Sequence, residues 1–154
     1  NVDRGSIVNT ASKYNLIIKV VEDYTHEVIK ISDLVIVSSG TATLETAIIG
    51  TPMIIVYKTS WSTYHLAMHL VKLDHIGLPN IVANREIVPE LIQNEASADN
   101  IYEKVKEILD KPYLRKNTGK NLERVKNMLG DKGAVRRTAE LVLKEGDIDC
   151  SDQE

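Results

Sequence analysis

Leu34-Val35-Ile36-Val37-Ser38-Ser39-Gly40-Thr41-Ala42-Thr43-Leu44-Glu45 reads as a strand that runs through a turn of small residues into a helix. Its first four residues are apolar in succession rather than alternating, which suits a strand covered on both faces. Ser38, Ser39 and Gly40 break the run, and Thr41 stands where a helix cap is expected, with Leu44, Ala47 and Ile48 on one helical face behind it. Gly50 and Pro52 end that helix, and Met53 to Val56 forms the next apolar run. Upstream, Leu16 to Val21 is rich in β-branched residues and reads as a buried strand. A short helical stretch with Val28, Ile29 and Ile31 follows it, with Thr25 placed to cap. Strands alternating with helices predict an α/β fold: a Rossmann-like parallel sheet with right-handed crossovers and helices on both faces.

Downstream, Ser62 can cap a helix to about Leu73 with Tyr64, Ala67, Met68 and Val71 on one face, and Leu78 to Val82 suggests a further short strand. From Pro89, which suits a first helical position, the chain reads as mostly helical. Ser97 caps a helix to about Leu109 whose stripe is Ile101, Val105, Ile108 and Leu109, and two more helical segments run to Lys144. Residues 1–145 therefore read as one Rossmann-like domain with a helical C-terminus, and 146–154 as a polar tail.

Of the 154 residues 43% are hydrophobic and 27% charged, which is ordinary for one globular domain. The net charge of −3 leaves no global basic field for nucleic acid or anionic lipid, so any anion site must be local. Cys150, the single cysteine, excludes an internal disulfide framework and is compatible with a reducing cytoplasm. The apolar runs, Leu34 to Val37 and Met53 to Val56 among them, are far short of the roughly 18 residues that suggest a bilayer span. Asn1 rather than Met opens the chain, and no apolar strand precedes Asp3 and Arg4, so the chain reads as part of a longer fold.

The turn after Val37 carries the clearest chemistry. A helix N-terminus has unsatisfied N–H groups and partial positive charge, and Gly40 lets an anion approach the main chain, so the turn can hold a diphosphate. The plainer alternative is that Thr41 caps the helix while Gly40 makes the turn. Glu45 lies four residues after Thr41, not three, and so is out of register for a capping box; it stands about 100° around the helix from Leu44. A carboxylate there can accept hydrogen bonds from vicinal ribose hydroxyls.

Ser39 to Glu45, then Gly50-Thr51-Pro52-Met53 and Val56-Tyr57-Lys58, resemble the bacterial lipid-A-disaccharide synthases. Leu70-Val71-Lys72, Gly77-Leu78-Pro79-Asn80 and Pro89-Glu90-Leu91-Ile92-Gln93 follow in the order and approximate spacing of that family, and the resemblance extends over about residues 16–145. It implies the C-terminal domain of a GT-B glycosyltransferase, which transfers 2,3-diacylglucosamine from its UDP derivative to 2,3-diacylglucosamine 1-phosphate (lipid X), forming lipid A disaccharide and UDP. The C-terminal domain chiefly holds the UDP-sugar; an N-terminal domain, outside this chain, handles the acceptor and carries the acidic catalytic candidate.

By that resemblance Gly40 and Thr41 bind the diphosphate, Ser39 lines the turn and Glu45 binds the ribose. Asn80, Glu90 and Gln93 are candidates for contacts to the donor, and Tyr24 for the uracil. No metal or other cofactor is implied. The chain departs from the family pattern in lacking a Pro-Gly-Ser-Arg motif, in Lys58 where Arg is frequent, and in Asn84 where Gly is frequent. The resemblance also suggests cytoplasmic work on lipid substrates, with peripheral contact at the inner membrane through Trp61 and the loop before Ser62; apolar faces on the C-terminal helices allow a homodimer. A UDP-sugar 2-epimerase, another lipid-linked GT-B enzyme and a non-catalytic nucleotide-binding module are the alternatives.

His65 and His69, four apart with Asp74 and His75 nearby, have a spacing that can place two imidazoles on one metal, but they read as a solvated helix face. Arg115, Lys116, Lys120 and Arg124 have acids interspersed and no aromatic residues interleaved among them, so no nucleic-acid surface is expected there.

Overall fold

The computed structural model describes residues 3–14, 16–60, 75–130 and 133–149. The expected helix from Ser62 to Leu73, with Trp61, His65, His69 and Asp74, lies outside the described residues, as do Cys150 and the end of the tail.

The elements in chain order are α1 (Arg4–Lys13), α2 (Thr25–Ile31), β1 (Val35–Ser38), α3 (Thr41–Ile49), β2 (Met53–Tyr57), α4 (Leu78–Ala83), β3 (Glu90–Ile92), a 3₁₀ turn (Gln93–Glu95), α5 (Ala98–Asp110), α6 (Pro112–Met128) and α7 (Ala134–Asp149). The three strands form a parallel sheet in the order β1-β2-β3. Val35 pairs with Met53 and Ser38 with Val56, while Ile55 pairs with Glu90 and Tyr57 with Ile92. All three strands thus end on one edge, where Ser39–Thr41, Lys58–Thr59 and Gln93 follow them.

Side chains alternate across a strand, and β2 shows why the sheet needs two covers. Met53 and Ile55 pack with Ala47 of α3, Val88, and Leu122 and Val125 of α6. Ile54 faces the other way and packs with Leu91 and with Ile108 of α5. The α/β architecture read from the sequence is therefore present, with both faces covered at β2, whereas on β1 burial alternates and Ile36 is exposed. Ser97 caps α5 by accepting from the Asn100 N–H at 3.2 Å, and Ile101, Val105 and Ile108 pack inward as their spacing requires. Leu109, the fourth member of that stripe, stays exposed.

Several expectations are corrected. Residues 16–21 form no strand: they carry no ladder among the described residues, and Leu16, Ile17, Ile18 and Val21 are exposed. A β-branched run becomes a buried strand only when a neighbour takes up its N–H and C=O groups. Leu78 to Val82 is helical rather than extended, because Gly77 and Pro79 suit a helix start and Asn84 ends it in the left-handed region at φ 50°. Pro89 enters β3 instead of a helix; its carbonyl accepts from Ile55 N at 2.9 Å, a ladder bond that does not need the missing proline N–H. On α3 the buried face is Thr43, Thr46 and Ala47, and Ile48 is exposed. The two threonines enter the core by donating their hydroxyls to Gly40 O at 2.7 Å and Ala42 O at 2.8 Å. Thr25 and Thr41 are first helical residues and not caps; the capping positions fall to Tyr24 and Gly40.

Candidate nucleotide site at the strand ends

Gly40 joins β1 to α3 with φ 148° and ψ −167°, a combination essentially confined to glycine. An added Cβ would meet nothing within 4 Å. Among the described residues, the glycine is thus demanded by the backbone path and not by crowding, and the space beside its Cα is open. No side chain caps this turn among the described residues. Thr41 and Ala42 are exposed there. An uncapped helix start with open approach is suited to an anion.

Ser39 is held from two sides. Its N–H donates to Val56 O at 3.1 Å, and its hydroxyl makes a long bond of 3.4 Å to Ile76 O. Ile76 belongs to a turn that Glu90 and Asn80 fix. The Glu90 carboxylate accepts from Ile76 N at 2.8 Å, Gly77 N at 3.0 Å and the Asn80 amide at 2.6 Å. Asn80, fully buried, also donates to Val88 O at 2.8 Å and accepts from Ile87 N at 2.8 Å and Val88 N at 3.1 Å. The amide therefore uses its donors and its carbonyl within the chain. Gly77 has no room for a larger residue, since a Cβ would run into the Ile55 side chain and Glu90.

Gln93 sits at the end of β3 with φ 52°, an uncommon conformation for a residue that is not glycine. Its side-chain carbonyl accepts from Thr59 N at 3.1 Å and so ties the ends of β2 and β3 together. Glu45 lies one helical turn beyond Thr41, about 6 Å along the axis. Its carboxylate is 3.2 Å from His26 Nε2 of α2, and both side chains are substantially exposed. Tyr24, exposed, stands at the start of α2, two residues before His26, and follows Asp23 at φ 65°.

The structure thus gathers Ser39, Asn80 and Glu90 in one hydrogen-bonded cluster beside Gly40 and Thr41. Gln93 lies at the neighbouring strand end, and Tyr24 and Glu45 are connected through the α2–α3 contact. His26 was not singled out by the sequence: its partner is 19 positions away, and only the packing of α2 on α3 brings the two together.

A cleft of about 670 Å³ lies beside β3 and α5 and shares Glu90 with the strand-end cluster. There Glu86, Glu90, Glu95, Glu103 and Glu107 outnumber Lys104 and Lys111, a balance that disfavours a diphosphate. Glu107 is held below the usual carboxylate range, first by its hydrogen bonds to Lys104 and Lys111 and then by their charges. This cleft is therefore a poorer anion site than the turn at Gly40.

A profile of the lipid-A-disaccharide synthetase family matches residues 3–144. The chain is 41% identical to the lipid-A-disaccharide synthase of Geobacter sulfurreducens over 140 residues, covering 91% of this chain and 36% of that protein. It is 44% identical to the lipid-A-disaccharide synthase of Persephonella marina over 86% of this chain and 36% of the relative, and 48% identical to that of a Sulfurihydrogenibium species over 79% and 31%. The chain spans about a third of the length of these relatives.

Proposed function

This chain belongs to the lipid-A-disaccharide synthetase family, and on that premise we propose that it is the donor-binding part of a glycosyltransferase of lipid A biosynthesis. The complete enzyme transfers 2,3-diacylglucosamine from its UDP derivative to 2,3-diacylglucosamine 1-phosphate and releases UDP. The observation that carries the reading is the Gly40 turn: a backbone open only to glycine, with none of the described residues within 4 Å of an added Cβ, followed by a helix start that no described side chain caps.

In this reading Gly40 and Thr41 receive the diphosphate through main-chain N–H groups, Ser39 lines the turn, and Glu45 accepts from the ribose hydroxyls. Negative charge grows on UDP as the glycosidic bond breaks, and donors already aimed at the phosphates stabilise that charge. No metal is needed for this step. Asn80 and Glu90 serve the site by holding the Ile76–Gly77 turn against Ser39, since their polar groups are engaged within the fold. Gln93 faces the sugar side from the end of β3, and Tyr24 lies toward the uracil. The acceptor and the catalytic acid–base group belong to an N-terminal domain.

Among the described residues no helix is long and apolar enough to cross a membrane. Acylated substrates favour work at the cytoplasmic face of the inner membrane by peripheral contact. Val135, Leu141, Val142 and Leu143, all exposed on α7, support a homodimer, which sedimentation of the complete gene product would detect. Mass spectrometry of its products from UDP-2,3-diacylglucosamine and the monosaccharide 1-phosphate tests the activity. Lipid A disaccharide with equimolar UDP is expected. An isomerised UDP-sugar without disaccharide would replace the reading by a 2-epimerase, and no turnover at all would leave a binding module.

A further inference from the structure

We propose that His26 is a positioning residue for the ribose of the bound nucleotide, acting through Glu45; this rests on the donor-site reading above. His26 stands in the first turn of α2 and Glu45 one turn into α3, and packing of the two helices puts imidazole Nε2 3.2 Å from Oε2 of the carboxylate. The bond engages one carboxylate oxygen. Oε1 then remains to accept from the vicinal hydroxyls of a ribose whose diphosphate sits at the helix start.

A glutamate held on one side suits recognition better than a free one. An exposed Glu side chain samples many rotamers, and ordering it on binding subtracts from affinity. His26 restricts that search before the ligand arrives. Tyr24 directly precedes that turn of α2, and Asp23 just before it occupies the left-handed region at φ 65°, so the chain bends where the nucleoside end of the site would lie. The diphosphate-binding turn, Glu45, His26 and Tyr24 then form one continuous path from the end of β1 to the start of α2.

The test separates His26 from Glu45 and ribose recognition from general stability. UDP and 2′-deoxy-UDP are titrated calorimetrically into the complete gene product, wild type and with His26→Ala, His26→Gln or Glu45→Ala, with folding checked by circular dichroism. The deoxy nucleotide lacks one hydroxyl that Glu45 would accept from, so wild type prefers UDP. His26→Ala is expected to weaken UDP about two- to fourfold, as for an exposed charge-assisted pair, to weaken 2′-deoxy-UDP less because only its 3′-hydroxyl remains, and so to narrow the preference. His26→Gln, whose amide can donate near the same place, restores it. If both nucleotides weaken by the same factor, or neither does, while Glu45→Ala abolishes the preference, His26 has no positioning role and the ribose assignment of Glu45 stands. If Glu45→Ala leaves the preference at the wild-type value, the ribose reading fails and the His26 proposal falls with it.

Discussion

Residues 16–21, Leu-Ile-Ile-Lys-Val-Val, and β2, Met-Ile-Ile-Val-Tyr, are close in composition, yet Met53–Ile55 are fully buried while Ile17 is fully exposed. β2 has a ladder neighbour on each side and helices over each face. Residues 16–21 have no ladder among the described residues; Leu16 N bonds back to Ala11 O of α1 at 3.2 Å, and α1 with Leu16 and Ile18 lines a shallow apolar cavity. Apolar, β-branched content therefore marks where a strand can form. Partners for its main chain and for both faces decide whether it does.

The sharpest test of that contrast is a pair of truncations. Ile54→Ala should cost about 2–5 kcal/mol in urea denaturation and Ile17→Ala less than about 0.5 kcal/mol. Equal losses would place 16–21 in the core and erase the distinction. Asn80→Ala should follow, at about 2–4 kcal/mol, because Ile87 N and Val88 N lose their buried acceptor. A loss below about 0.5 kcal/mol would mean that the cluster around Glu90 does not hold the turn.

Two glycines sharpen the comparison between the site and the scaffold. At neither Gly40 nor Gly119 would an added Cβ meet another part of the described residues within 4 Å, but Gly40 has φ 148° and Gly119 lies inside α6. Gly40→Ala should destabilise by about 1–3 kcal/mol through backbone strain, whereas Gly119→Ala should stabilise by about 0.5–1 kcal/mol through helix propensity. Thermal melts of both variants check the opposite signs. The smallest effect expected is at Glu107, whose carboxyl is lowered by Lys104 and Lys111. A depressed carboxyl contributes stability above its unfolded value of about 4.5, and loses it as pH falls through the folded value. Glu107→Gln should thus lower the melting point slightly at pH 7 and not at all in strong acid; a difference that persists in acid would refute the ion-pair origin.

Much of this was legible from residues alone. The order β1, α3, β2 follows from Leu34–Val37, Gly40, Gly50 and Pro52, and the cap of α5 from Ser97, because these signals are local. The identity of β3 was not, since Glu90-Leu91-Ile92 is too short to show a period, and a preceding proline suits a helix start as readily as a strand entry. Only Val56 and Tyr57 pairing with Leu91 and Ile92 settle it. The candidate site divides the same way. Gly40 and Thr41 were visible as a turn before a helix, whereas the self-contained bonding of Asn80 with Glu90 and the approach of His26 to Glu45 join residues 10 and 19 positions apart that no period links.

Calorimetric titration of UDP into the complete gene product, wild type and Gly40→Ala, tests the diphosphate assignment most directly. An added Cβ at Gly40 would meet none of the described residues within 4 Å, so a correctly folded variant should lose UDP affinity by tenfold or more, on the order of 1.4 kcal/mol, because the helix start and its N–H groups are displaced. Undiminished UDP binding by a folded Gly40→Ala protein would contradict it and move the diphosphate away from the start of α3.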